Sequence, residues 1–265
     1  MKKIEHLSEL SKNYDTFVID LWGVMHNGIR LTNSAIEAVE NLHKDNKKII
    51  FLSNAPRPTK NVVKFLEKLK MNKKFLSNVV TSGQIAKNYI LKSKKEKKFF
   101  HLGPSRDQSL FEELIGKKSK LEMCDYILCT GLFDEEENNL NFYKNLLKNS
   151  THKEFICTNP DLIVHRGRIK ELCAGSIAKI FEDLGGKVSY FGKPYKQVYD
   201  SFLNKDDKVL AIGDNLNTDI KGANNLNLDS IFILNGIHKS ENKNLDELSK
   251  IYNVKINYYQ ESLIW

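Results

Sequence analysis

The chain has 265 residues, enough for one large or two ordinary domains, and its 41% hydrophobic residues can fill proper cores, which excludes a disordered chain. Lys and Arg number 41 against 33 Asp and Glu, a formal charge of +8 that suits nucleic acid, an anionic membrane surface or phosphorylated small molecules without choosing among them. No RRM-type aromatic motif, zinc-finger spacing or long apolar run is present, and the N-terminal MKKIEHLSEL lacks the apolar core of a signal peptide. A soluble cytoplasmic protein with no nucleic-acid or membrane partner is therefore expected.

Phe17, Val18 and Ile19 are β-favouring and uncharged, which predicts a buried parallel strand with Asp20 near its C-terminal end and turn signals at Gly23 and Asn27-Gly28. A carboxylate there is costly unless it is used, although a strand-end Asp can also simply cap the turn. Thr32-Asn33 opens a helix with Ile36, Val39, Leu42 and His43 on one side, and KKIIFLSN predicts a strand ending at Ser53-Asn54. Pro58 starts a further helix that buries Val62, Phe65, Leu66 and Leu69.

From about Thr81 the alternation restarts, with a helix from Ser82, a strand at 99–102, a helix near 110–115 and a strand at 126–129. A helix near 141–147, a strand at 155–157 and a helix at 174–184 complete this middle segment. Strands at 188–191, 209–212 and 230–234 follow, separated by helices at 197–203 and near 219–225. Repeated βα units predict parallel sheets with right-handed crossovers. The lysine-rich run at 92–98 reads as a solvated loop, and the aromatic tail from Tyr258 to Trp265 as packed on its own domain. Cys124, Cys129, Cys157 and Cys173 form no C-x-x-C pair and read as reduced buried thiols, with Cys124 and Cys129 on opposite faces of a strand.

Four strand ends carry polar residues: Asp20, Ser53-Asn54, Gly192-Lys193-Pro194, and Gly213-Asp214-Asn215 running on to Thr218-Asp219. Parallel strands bring such ends to one crevice. In this order, and with TSGQIAKNYI from Thr81, TNPD from Thr158 and CAGSIAKIFEDLGGKVSYFGKP from Cys173, they make the sequence resemble the haloacid dehalogenase-like (HAD) phosphatases. The resemblance is to class IIA, the group with an inserted α/β cap that includes p-nitrophenyl phosphatases and nucleotide phosphatases, and it covers nearly the whole chain. It implies an α/β fold with a Rossmann-like parallel-sheet core from residues 1–80 and 188–265 and an α/β cap domain at 81–187.

The resemblance also implies roles. Asp20 matches the nucleophile that forms an aspartyl-phosphate. Ser53, by its hydroxyl, and Asn54, by its backbone N–H, match the phosphate-binding motif, and Lys193 the lysine that balances charge on nucleophile and phosphate. Mg2+ would be held by Asp20, the backbone carbonyl of Trp22 and Asp214, with Asp219 in the outer shell. Without the resemblance, Ser53 and Asn54 read as a turn or helix cap, Lys193 as one surface lysine among many, and Asp219 as a helix N-terminal acid.

The sequence departs from the family pattern at one place. D-x-D-G is replaced by Asp20-Leu21-Trp22-Gly23, which resembles a subgroup of class IIA with Trp at this place, so the second Asp, which in most of the family protonates the leaving oxygen and activates water, is missing. Two readings stay open. One is a phosphatase of a small phosphorylated metabolite, restricted to acyl, aryl or anhydride-like phosphates or using another donor such as His26. The other is a non-catalytic phosphate-ligand-binding or regulatory protein on the same fold. Retention of Asp20, Lys193 and Asp214 favours the enzyme and Trp22 favours the binder. Asn159, Asp161, His165 and Arg166 are rim candidates for substrate selection, with a salt bridge or solvated face as the alternative for each. The sequence names neither the substrate nor the oligomeric state, and a homo-oligomer is compatible with it.

Overall fold

The structure, a computed structural model, describes residues 1–166, 169–204, 206–241 and 244–265. The side chain of the expected rim residue Arg166 lies outside the described set. In chain order the strands are β1 (Lys2–Lys3), β2 (Thr16–Ile19), β3 (Lys48–Ser53), β4 (Val79–Thr81), β5 (Phe99–Leu102), β6 (Tyr126–Cys129) and β7 (Glu154–Cys157). They continue with β8 (Ile163–Arg166), β9 (Ile169–Leu172), β10 (Lys187–Tyr190), β11 (Val209–Gly213), β12 (Asp229–Ile233) and β13 (Tyr258–Gln260).

Among the described residues the larger sheet has the order β1-β13-β12-β11-β2-β3-β4, with every neighbouring pair parallel. β2 and β11 lie at its centre and are buried along their whole length, as continuous apolar runs with both faces covered should be. On one face, helices Asn33–Lys44 and Thr59–Lys68 pack Val39, Leu42, Val62 and Leu66 against Phe17, Ile49 and Phe51. The expected stripe of the first helix is rotated: Ala35 and Ala38 turn to the sheet, Ile36 is half-buried and His43 is exposed. The other face buries Val18, Leu52 and Val209 beneath Val198 and Tyr199.

The segment between β4 and β11 builds a second parallel sheet, β10-β7-β6-β5. Helices Leu140–Leu147 and Ala174–Asp183 cover one face through Tyr143, Leu147, Ile177 and Phe181, and helix Ser82–Ser93 covers the other through Ala86 and Ile90. β10 pairs with β7 here, whereas a boundary at 188 counts most of that strand with the core.

Several expected elements differ in detail. The helix near 110–115 is two 3-10 turns, Ser105–Leu110 and Glu112–Lys117, broken at Phe111, whose ring is buried against Phe99 and His101. The helix at 197–203 shortens to Lys196–Tyr199, and that near 219 begins with a π turn, Leu216–Ile220. Cys124 precedes β6 and shares one apolar cluster with Cys129, so the two do not occupy opposite faces; the four thiols are free and buried. The antiparallel hairpin β8–β9, helix Leu245–Tyr252 and the edge strands β1 and β13 carried no signal strong enough to predict. The tail packs on the larger sheet, through β13 and Leu263. No described helix is long and apolar enough to cross a membrane.

Candidate active site

β11, β2 and β3 are adjacent in the larger sheet, so Asp214, Asp20 and Ser53-Asn54 emerge side by side at its C-terminal edge. The backbone N–H of Asp20 still donates to Ile212 O at 2.8 Å, which fixes the carboxylate just beyond the last ladder bond. Lys193 arrives from the chain that returns after β10. Its ammonium donates to Asp20 Oδ1, to Asp219 Oδ1 at 2.7 Å and to Leu52 O at 2.9 Å, with all three side chains buried.

The Asn54 side chain brackets the Lys193 peptide. Its Oδ1 accepts from Lys193 N at 2.8 Å and its Nδ2 donates to Lys193 O at 3.0 Å, so the loop that carries the lysine is held by the strand end beside it. Asn54 Nδ2 also donates to Asp161 Oδ1 of the inserted segment at 3.1 Å. Gly192 has φ of +124°, and a Cβ there would lie 2.6 Å from Asn54 Oδ1, so this approach needs glycine. Ser53 Oγ accepts from Ala55 N at 3.2 Å and retains its own hydrogen for a ligand.

Asp20, Asp214 and Asp219 are buried, with one carboxylate oxygen of each lying within 4.8 Å of the others. Burial pushes the Asp20 carboxyl up against the pull of Lys193, and pushes Asp214 up with added repulsion from Asp20 and Asp219. On Lys193, burial opposes the charge, but Asp20, Asp219 and Asp161 outweigh it and the ammonium is held charged. One ammonium offsets only part of the negative charge of three carboxylates, so the cluster fits a cation bound through hard oxygen donors. Asp214 is shaped for such a role: Oδ2 accepts from Ile237 N at 2.7 Å, and a Cβ on Gly23 or Gly236 would lie 2.1 Å from it. Asp219 Oδ2 accepts from Asn215 N at 3.1 Å. Trp22 lines the same cleft, in the turn between Asp20 and Gly23.

The cleft has a volume of about 1000 Å3 and runs from this cluster to the inserted segment, where Asn159, Asp161 and His165 line it. Burial raises Asp161 to about 6, against Lys193 and Asn54. His26 is buried, burial pushes its imidazole down to about 4, and its Nδ1 accepts from Gly28 N at 3.0 Å. It is thus neutral at pH 7 with its proton on Nε2, a weak acid.

Sequence reasoning missed several contacts. Trp22 Nε1 donates to His165 O at 2.8 Å, and Arg57 Nε donates to the buried Asp107 Oδ1 at 2.8 Å, each joining the two sheets' segments. Neither pair is adjacent in sequence, so spacing carries no trace of them. The support of Asp214 by Ile237 N is a backbone contact, which residue types do not record.

Two family models match the chain, haloacid dehalogenase-like hydrolase over residues 17–115 and HAD-hydrolase-like over residues 190–261. The chain is 26% identical over 253 residues to an acid sugar phosphatase of Staphylococcus haemolyticus, covering 92% of this chain and 94% of that one. It is 25% identical over 245 residues to the 5'-nucleotidase YutF of Bacillus subtilis, covering 90% and 94%. Its structure superposes with a TM-score of 0.87 on a hydrolase of the haloacid dehalogenase-like family from Brucella suis 1330, at 30% identity over 98% of this chain and 100% of that one. A relative of that identity along its full length, matched in fold as well as sequence, establishes that the chain belongs to the haloacid dehalogenase-like hydrolase family.

Proposed function

We propose that the chain is a Mg2+-dependent phosphatase of small phosphorylated metabolites that works through an aspartyl-phosphate on Asp20, without the usual general acid. The observation that carries this is the buried Asp20 carboxylate at a strand end, with the Lys193 ammonium on one oxygen and Asp214 and Asp219 beside it. The names of the relatives, an acid sugar phosphatase and a 5'-nucleotidase, support the reaction class. A simple phosphate binder has no use for a buried carboxylate facing the anion, which would repel it. The catalytic core would comprise about residues 1–80 and 188–265 and the cap about 81–187, except that β10 (Lys187–Tyr190), at the junction, belongs with the cap because it pairs with β7.

In this reading an Asp20 oxygen attacks phosphorus, the bond from phosphorus to the leaving oxygen breaks, and the phosphoryl group stays on Asp20. Water then attacks that phosphorus, which returns the Asp20 carboxylate and releases inorganic phosphate. Ser53 Oγ and the Asn54 backbone N–H would hold the phosphoryl oxygens, and Lys193 would offset the charge gathered on them and on Asp20. Mg2+, when bound by Asp20, the Trp22 carbonyl and Asp214, with Asp219 behind, would supply further neutralisation of the phosphoryl oxygens. The oxygen-only donor set suits Mg2+ rather than zinc.

Trp22 stands where the acid would be, and its indole N–H is far too weak an acid to transfer a proton at neutral pH. General acid–base help is worth about 10²–10⁴ in rate, so alkyl phosphates should suffer and aryl or acyl phosphates should not. Phosphate release from a panel of phosphorylated metabolites and p-nitrophenyl phosphate tests this. The expected result is Mg2+-dependent release, fastest from aryl or acyl phosphates. Full release in excess EDTA, or none from any phosphate, would contradict it.

A further inference from the structure

We propose that Trp22 is a positioning residue that holds the hairpin β8–β9 over the cleft through its indole N–H. The site position that bears an acid in D-x-D-G phosphatases is used here to tie core to cap. What the hairpin is held against, a phosphorylated substrate, rests on the function proposed above; the tie itself does not.

The indole is fixed by core residues. Its ring stands edge-on to His26, with centroids 5.0 Å apart, and His26 stands edge-on to Phe65 at 5.4 Å. Gly28 abuts another edge, where a Cβ would be 2.7 Å from Trp22 Cζ2. From this seat Nε1 donates to the backbone carbonyl of His165, in the middle of β8, at 2.8 Å.

The hairpin needs such an anchor. Among the described residues β8 and β9 form a two-stranded sheet of their own, separate from β10-β7-β6-β5, and an isolated two-stranded hairpin is marginal in water. Its base is held by Cys173 N and Ser176 Oγ, which donate to Leu162 O at 2.9 and 2.6 Å. Its middle, where His165 faces Lys170, is where Trp22 takes hold. Ile163, Val164, Lys170 and Leu172 of the hairpin line the cleft that also contains Asp20, so the tie sets which surface the leaving group meets. An Asp at position 22 that gives its proton to the leaving oxygen has no hydrogen left for a carbonyl, so one side chain does not serve as acid–base and hold this tie through the reaction.

The chain has two tryptophans, so the Trp22 indole N–H can be assigned by NMR with Trp265→Phe and its solvent exchange followed in the intact protein. Exchange at least about 3- to 10-fold slower than that of free tryptophan is expected, the range one hydrogen bond provides. Trp22→Phe keeps a ring and removes the donor. The amides of Val164, His165, Lys170 and Glu171 should then exchange faster by about the same factor, those of β2 and β11 should not change, and KM for p-nitrophenyl phosphate should rise more than kcat falls. Exchange of the Trp22 indole as fast as free tryptophan overturns the proposal without any variant, and so does unchanged hairpin exchange in folded Trp22→Phe. If neither protein releases phosphate from any ester, the phosphatase reading fails while the exchange data still decide the tie.

Discussion

At the scale of single residues the site is an unbalanced charge cluster, and its imbalance can be measured. Without metal, burial raises Asp20 to about 8 and Asp161 to about 6 from an ordinary 3.8. A carboxyl whose folded pKa lies above its unfolded value contributes stability that is fully present below the unfolded pKa and is lost as pH rises through the folded one. In EDTA the Tm should therefore fall as pH rises from about 5 to 8, Mg2+ should restore most of the loss at pH 8, and Asp20→Asn should flatten the slope. Scanning fluorimetry reads all three, and a slope that Asp20→Asn leaves intact would count against the cluster as its source. Gly236→Ala should weaken Mg2+ binding at least about tenfold by titration calorimetry, because the new methyl would occupy the space of Asp214 Oδ2, and moving a ligand that far costs roughly 1.4 kcal/mol or more. Asp20 and Asp214 stand out in the sequence because each closes an apolar run, whereas Ser53 and Lys193 become candidates only through the resemblance, since alone they read as a turn residue and a surface lysine. Asn54 was legible for its backbone only; that its side chain clamps the Lys193 peptide depends on a contact across 139 positions, which no local pattern records.

At the scale of elements, the strands of both sheets other than the short β1, β4 and β13 could be read because parallel strands buried on both faces show as uninterrupted apolar runs. The short 3-10 turns after β5 could not, since burial of Leu110, Phe111 and Leu114 mimics a helical stripe. The hairpin β8–β9 was invisible for the opposite reason: it is half exposed, carries charges, and is held by bonds made at its base and across the cleft. Core and inserted segment also meet at Arg57 and Asp107, where the carboxylate is 2% exposed and the guanidinium is partly in water. Arg57→Ala leaves a buried acceptor without this donor and should cost about 1–3 kcal/mol in urea unfolding. A loss below about 0.3 kcal/mol would mean that solvent replaces the arginine without penalty.

At the scale of the molecule, two parallel sheets share one chain because the second is inserted between β4 and β11 of the first, and the cleft lies where their loops face each other. The ends of β2 and β11 and the chain after β10 supply the charges, and the walls come from both the larger sheet's segments and the inserted one. Order and type of elements therefore announced the architecture, whereas the walls, made of side chains from distant segments, had to be seen. In the proposed function Asp20 is the group to which phosphorus is transferred. Rapid acid quench of the protein turning over p-nitrophenyl [32P]-labelled phosphate with Mg2+, followed by peptide mapping, tests it directly. Label is expected on the peptide that contains Asp20, lost together with phosphate release in Asp20→Asn; steady phosphate release by folded Asp20→Asn would overturn the aspartyl-phosphate.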